Sequence, residues 1–149
     1  MSEYTRQNIS SGSVWEPVVG YSRAVRAGAF VFVAGTTASS PDGAVGGTDA
    51  AAQAREIFVR IGAALERAGA SFGEVVRTRV YLKSIADFDA VGAVHGEIFG
   101  EIRPALVAVE VGALAAPDLL TSLPLAPGAT ASGPRAPWWS ALLTAHHPS

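Results

Sequence analysis

The segment 29–35, Ala-Phe-Val-Phe-Val-Ala-Gly, constrains the fold most, because it is a strand pattern that is apolar on both faces. Phe30 and Phe32 point to one side of such a strand, while Val31 and Val33 point to the other. A strand that is apolar on both faces is usually covered on both faces. We therefore expect helices on one face of the sheet and a second copy of the chain on the other.

The rest of the chain predicts an α+β domain with the element order ββαβαβ. The two helices are amphipathic, so we expect both to lie on one face of a mixed sheet. The predicted strands span residues 21–27, 29–35, 74–83 and 103–111, and the predicted helices span residues 49–69 and 87–100.

Residues with special backbone preferences mark the ends of these elements. Gly28 predicts a tight hairpin turn between the first two strands. Thr48 or Asp49 is expected to cap the first helix, and Gly69 is expected to end it. Asp87 is the expected cap of the second helix.

The domain is expected to occupy residues 19–125, after a polar N-terminal segment, 1–18. Residues 126–149 are rich in Ala, Pro, Gly and Ser, which predicts a mostly disordered tail. A weak last strand, 119–125, contains Pro124. Proline has no N–H to donate, so that strand is expected to lie at a sheet edge or to end early.

Composition argues against several classes of function. The net charge is −2 and the pI is 5.9, so the chain lacks the basic surface that nucleic-acid binding requires. It has no cysteine, and no His or carboxylate cluster has metal-ligand spacing, so we expect neither a metal nor another cofactor. Without a signal-peptide pattern or a membrane-spanning apolar run, the expected location is the cytoplasm, away from membranes.

Six segments, taken in order, carry a resemblance to a known family. They are Gly20–Val25, Val33–Thr36, Asp49–Arg55, Val75–Lys83 followed by Asp87–Phe88, Arg103–Ala105, and Val109–Val111. Across residues 8–120 the chain resembles the RidA/YjgF family, which is also labelled the L-PSP endoribonuclease family. The resemblance implies a chorismate-mutase-like fold, a homotrimer, and small-molecule clefts between subunits.

The resemblance also implies a chemistry, from which this chain departs at several positions. Family deaminases hydrolyse reactive enamines and imines derived from amino acids, and an arginine anchors the substrate carboxylate. Leu106 occupies that position here, and Ser122 and Pro124 replace two glutamates of the last strand. Ala34 replaces a small polar residue. These departures predict little activity on amino-acid-derived imines and favour an uncharged carbonyl compound.

The candidates for substrate binding combine the resemblance with side-chain chemistry. They are Tyr21, Gly35, Thr36, His95, Arg103 and Leu106. Arg103 precedes a proline, which favours an extended backbone, and it could supply a replacement cation or simply end a surface loop. His95 is either a cleft residue or a packed, hydrogen-bonded one, and Tyr21 either contacts the ligand or fills a subunit seam.

Glu110 is the candidate catalytic residue. It shares a strand face with Leu106 and Ala108, so desolvation would raise its pKa and suit it to act as a general base. The alternative is a carboxylate that pairs with Arg77 or Arg79 on a neighbouring strand and does no chemistry.

Three functions from different classes follow from these residues. The first is a hydrolase of imines, enamines or related carbonyl compounds. The second is a non-enzymatic trimer that binds a metabolite or a protein partner. The third, an endoribonuclease or translation inhibitor, comes from the family label alone, and the acidic charge argues against it.

Overall fold

A six-stranded mixed sheet with two long helices forms the framework of the protein. The computed structural model describes residues 5–115 and the backbone of Leu125–Ala126. The strands are β1 (Arg6–Ile9), β2 (Ala24–Ala27), β3 (Phe30–Val33), β4 (Ser39–Ser40), β5 (Gly43–Ala44), β6 (Arg77–Leu82), β7 (Ala105–Glu110) and β8 (Leu125–Ala126). The helices are α1 (Trp15–Val19), α2 (Ala50–Arg67) and α3 (Phe88–Phe99), with short 3₁₀ turns at Phe72–Glu74 and Ile85–Asp87.

The strand order of the large sheet is β1-β2-β3-β8-β6-β7, and β4 and β5 form a separate hairpin. Gly28 has a φ of 60° and forms the predicted turn between the antiparallel strands β2 and β3. β6 and β7 are parallel, which requires a crossover connection, and α3 provides it. This α+β architecture confirms the predicted fold class.

The two faces of the sheet have different environments. On the helix face, Val31, Val33 and Val80 are buried in the core under α2 and α3. On the other face, which we call the open face, Phe32 is half-buried and Val107 is 38% exposed. The prediction of a strand that is apolar on both faces is therefore correct, and helices cover only one of those faces.

Aromatic packing between α2 and α3 forms the centre of the core. Phe58 of α2 lies edge-on to Phe99 of α3, with ring centroids 5.7 Å apart, and to Phe72 at 6.4 Å. Its exposed fraction is 1%. Aromatic edge-to-face pairs add to the stabilisation from burial, so this cluster holds both helices against the sheet.

The cap of α2 agrees with the sequence, and that of α3 does not. Asp49 Oδ1 accepts a hydrogen bond from Ala52 N–H at 3.0 Å, and Gly69, with a φ of 75°, follows the helix. Asp87 makes no side-chain cap, because a 3₁₀ turn leads directly into α3. Ser84 caps that turn instead. No helix in the described part of the chain is both long and apolar enough to cross a membrane.

Two predictions about the chain ends need correction. The N-terminal segment is not separate from the domain, because β1 pairs with β2 along the sheet. Of the two alternatives for the last strand, the edge position is wrong, since β8 lies between β3 and β6 and pairs with both. The other alternative, a strand that ends early, stays a prediction. Residues 119–124 and the predicted tail beyond Ala126 lie outside the described residues.

Candidate functional site

Three predicted site residues, Tyr21, Gly35 and Thr36, lie together where β2 begins and β3 ends, and Arg23 connects them. Arg23 Nη1 donates to the Gly35 carbonyl oxygen and to Thr36 Oγ1, both at 2.9 Å. The guanidinium carbon lies 6.0 Å from the centre of the Tyr21 ring, at the limit of cation–π contact. We call these four residues the Arg23 cluster. It combines a cation, an aromatic ring and exposed backbone.

Thr36 supports this cluster from inside the protein. Its exposed fraction is 2%, and its hydroxyl donates to the Ala34 carbonyl oxygen at 3.0 Å while it accepts from Arg23. With both interactions made internally, the side chain orients Arg23. The neighbouring Gly35 is exposed and lies at the surface of the cluster.

A buried carboxylate, Glu16, holds the turn that leads to Tyr21. It accepts hydrogen bonds from the hydroxyls of Ser10 and Ser11 and from Ser11 N–H. These bonds, that from Ser10 first, lower the pKa of Glu16 to about 2, and the charge of Arg23 adds a smaller effect.

Glu16 also orders the chain through its backbone. Its carbonyl oxygen accepts from Gly20 N–H at 2.8 Å and from Tyr21 N–H at 3.1 Å, which closes α1 over a left-handed Gly20. Neither Glu16 nor Arg23 is among the site residues predicted from the sequence. The available signal for Glu16 was an acidic residue in the first turn of a helix, where the helix dipole favours it.

Replacing Glu16 with glutamine is expected to remove a pH-dependent part of the stability. The folded pKa of about 2 lies below the ordinary value of 4.5, so the stabilisation is complete above about pH 4.5 and is lost as the pH falls towards 2. We expect the melting temperature of Glu16→Gln to depend less on pH across this window. Glu66→Gln, at an exposed glutamate of α2, should keep the wild-type slope. An unchanged slope in Glu16→Gln would contradict the assignment.

A second group of predicted residues lies on the edge strand β7. Leu106 is 44% exposed, and its strand partner in β6 is Thr78. Glu110 is exposed, and its Oε2 accepts from Ile85 N–H at 2.7 Å. The expectation of a desolvated Glu110 is therefore wrong for the single chain.

The alternative expectation for Glu110, an ion pair with Arg77 or Arg79, does not fit the strand register of the single chain. The register pairs Glu110 with Leu82 on the helix face. The two arginines alternate with the buried residues of β6 and so belong to the open face. Glu110 instead ties the end of β7 to the 3₁₀ turn before α3.

Arg103 does not have the extended backbone that its position before a proline predicts. Its φ is 54°, in the left-handed region, and its N–H donates to the Phe99 carbonyl oxygen at 2.8 Å. Arg103 Nε donates to the Gly100 carbonyl oxygen at 3.2 Å. The hydrogen bonds that close the end of α3 outweigh the preference of a residue before proline for an extended backbone. Because β7 begins only at Ala105, strand alternation does not fix the direction of this exposed side chain.

His95 packs between α3 and the sheet. Its Nε2 is 2.9 Å from Thr78 Oγ1, and its ring centroid lies 4.6 Å from that of Phe99. Burial lowers the pKa of His95, which keeps the imidazole neutral near pH 7. These contacts match the packed, hydrogen-bonded alternative. Within residues 5–115, no group of three His, Asp or Glu side chains is arranged to hold a metal ion.

The Arg23 cluster and the β7 group do not meet within one chain. β3 and β7 are separated by β8 and β6. Three strand spacings correspond to roughly 14 Å across the sheet. A site that uses both groups therefore needs a second copy of the chain.

Comparison with known proteins gives a consistent picture. The family model described as endoribonuclease L-PSP matches residues 12–121. A RutC family protein of Pyrococcus abyssi is 43% identical over 100 residues, covering 66% of this chain and 79% of the relative. The 3-aminoacrylate deaminase RutC of Acinetobacter baylyi is 35% identical over 108 residues, covering 72% and 85%.

The same similarity extends to solved structures. The crystal structure of Rv2704 from Mycobacterium tuberculosis, described as a member of the YjgF/YER057c/UK114 family, aligns with a TM-score of 0.76. The two sequences are 48% identical, and the alignment covers 83% of this chain and 99% of that one. This chain is therefore similar to Rv2704 in sequence as well as in fold.

Proposed function

The chain belongs to the endoribonuclease L-PSP family, also called RidA/YjgF, and on that premise we propose that it hydrolyses small, reactive imines or enamines. An enamine would first take a proton at its β-carbon and so become an imine. Water would then add to the carbon of the C=N bond, the nitrogen would take up the protons, the C–N bond would break, and a carbonyl compound and ammonia would leave. A relative named for the deamination of 3-aminoacrylate, which is an enamine, supports this reaction class. The observation that carries the proposal is the Arg23 cluster, a polar and accessible surface at the end of β3.

The active form in this proposal is a homotrimer. The open face presents half-buried Phe30 and Phe32 and the exposed valines Val107 and Val109, an apolar surface that another copy can cover. The same assembly would bring the β7 edge of one copy to the Arg23 cluster of the next. The site would then lie between subunits.

Ammonia release tests the proposed reaction. A 2-imino acid can be formed in situ from an amino acid by an amino-acid oxidase, and an uncharged imine from a monoamine by an amine oxidase. We expect ammonia to appear faster with the protein than in buffer for at least one of the two. Rates equal to buffer for both would contradict the proposed function.

Replacing Glu110 with glutamine distinguishes a general base from a residue that only makes a structural hydrogen bond. A general base contributes about 10²–10⁴-fold to a rate, and glutamine cannot take a proton. If Glu110 activates water, kcat of Glu110→Gln should fall by that factor. Glutamine can still accept the hydrogen bond from Ile85 N–H, so an unchanged kcat would show that Glu110 only ties β7 to the turn before α3. Equal melting temperatures would confirm that the fold is intact.

One observation favours the second candidate, a trimer that binds a metabolite without turnover. Glu110 already uses one carboxylate oxygen in a structural hydrogen bond, and it is exposed in the single chain. A thermal-shift screen of 2-keto acids and neutral carbonyl compounds distinguishes the two functions. Stabilisation by a ligand, together with no ammonia release from either imine, would support the binding protein.

A further inference from the structure

We infer that Arg23 supplies the anion-binding cation of this protein, in place of the arginine that Leu106 replaces. The ligand class is a small monocarboxylate, such as a 2-keto or 2-imino acid. The inference rests on the proposed function for the reaction class only, because binding of an unreactive carboxylate can be measured without turnover.

The fork of Arg23 is oriented and only partly used. Nη1 makes both of its hydrogen bonds inside the protein, to Gly35 and Thr36. Nε and Nη2 have no hydrogen-bond acceptor among the described residues. A guanidinium edge with two free N–H groups matches the two oxygens of a carboxylate. Because Nη1 fixes the plane, little side-chain freedom is lost when an anion binds.

Two other half-buried arginines use their forks differently. Arg26 donates from Nε to the Gly28 carbonyl oxygen and from Nη1 to the carbonyl oxygens of Ala68 and Gly69. Arg60 donates from Nε to Glu56 and from Nη1 to backbone carbonyl oxygens. Both side chains therefore tie loops to the helical layer. Arg23 differs because its Nε is uncommitted among the described residues.

The charge of Arg23 is not neutralised by a contact ion pair within residues 5–115. The ion pairs Arg55–Glu97 and Arg60–Glu56 do not involve it. Glu16 is the carboxylate whose pKa responds to Arg23, but Ser10 and Ser11 hold its oxygens. The negative charge of Glu16 repels an incoming anion and so weakens its binding, but Glu16 does not occupy the N–H groups of the Arg23 fork.

Tyr21 completes the binding surface. Its half-buried ring lies beside the guanidinium, and its hydroxyl makes no recorded hydrogen bond with a described residue. A flat 2-keto or 2-imino acid can therefore present its carboxylate to Arg23 and its planar body to the ring. This assignment reverses the expectation, drawn from Leu106, that the ligand is uncharged.

Calorimetric titration with pyruvate and with methyl pyruvate tests the inference, because the two probes differ in the carboxylate charge. We expect the wild type to bind pyruvate at least tenfold more tightly than the ester. Arg23→Gln should weaken pyruvate binding at least tenfold and leave binding of the ester unchanged. Arg55→Gln, at an exposed ion pair on α2, is the matched control and should bind both probes like the wild type.

Arg23→Lys keeps the charge but not the fork, and it covers the case in which Arg23→Gln fails to fold. We expect Arg23→Lys to bind pyruvate several-fold more weakly than the wild type. Binding of pyruvate by Arg23→Lys at wild-type affinity would overturn the role of the fork. A carboxylate preference that survives in folded Arg23→Gln, or that is missing from the wild type, would overturn the inference altogether.

The outcome is separable from that of the deaminase proposal. If pyruvate binding depends on Arg23 and neither imine is hydrolysed, the anion site is supported and the deaminase is refuted. If an imine is hydrolysed and Arg23→Gln retains the carboxylate preference, the deaminase is supported and the Arg23 inference fails.

Discussion

Replacing Phe58 with alanine is expected to lower the free energy of unfolding by about 3–5 kcal/mol. Phe58 is 1% exposed, and its ring contacts Phe72 and Phe99 edge-on and also lies 6.1 Å from the His95 ring. Removing it takes away buried apolar surface and leaves a cavity where α2 and α3 meet. Denaturant unfolding followed by circular dichroism measures the loss.

The adjacent residue of the same helix provides the control. Val59 is 67% exposed, so Val59→Ala should change the free energy of unfolding by no more than about 0.5 kcal/mol. A loss below about 1 kcal/mol in Phe58→Ala would contradict the central role of the aromatic cluster. Because the expected loss is a large share of the stability of a small domain, Phe58→Ala should be studied at low temperature.

Replacing Val107 with aspartate is expected to convert the proposed trimer to a monomer and to abolish the proposed imine hydrolysis. Val107 is 38% exposed on the open face, so the single chain tolerates a polar side chain there. In the proposed trimer the aspartate would be buried without a partner, which costs several kcal/mol per interface. Light scattering should show the mass fall from three times the 15.3 kDa chain mass to that of one chain.

Val59→Asp is the matched control, since it adds the same charge at an exposed valine of α2. It should keep the wild-type mass and rate. A Val107→Asp variant with the wild-type mass would contradict assembly through the open face. A monomeric Val107→Asp variant with full activity would support assembly through the open face. It would refute an active site that is shared between subunits.

Local patterns in the sequence were sufficient for the main secondary-structure elements. The uninterrupted apolar run Phe30–Val33 correctly predicted a strand that is apolar on both faces, and Asp49 and Gly69 marked where α2 begins and ends. These predictions succeeded because each depends on side chains or backbone preferences close in the chain.

Other features depend on contacts that periodicity does not report. Arg103 adopts a left-handed backbone because closing α3 outweighs the preference before proline. β8 lies inside the sheet because it pairs with both β3 and β6. Glu110 contacts a backbone N–H in another turn and not an arginine. For β8 and Glu110 a partner distant in the sequence decided the outcome, and for Arg103 it was the closing turn of α3.

The sequence by itself determined the fold class and the two-sided strand. Only the tertiary structure showed that Arg23 is oriented by Gly35 and Thr36, which lie 12 and 13 residues further along the chain. The hairpin between β2 and β3 brings them together. A sequence pattern specifies which face a side chain occupies, whereas the hydrogen bonds that fix its direction come from strands that meet only when the sheet forms.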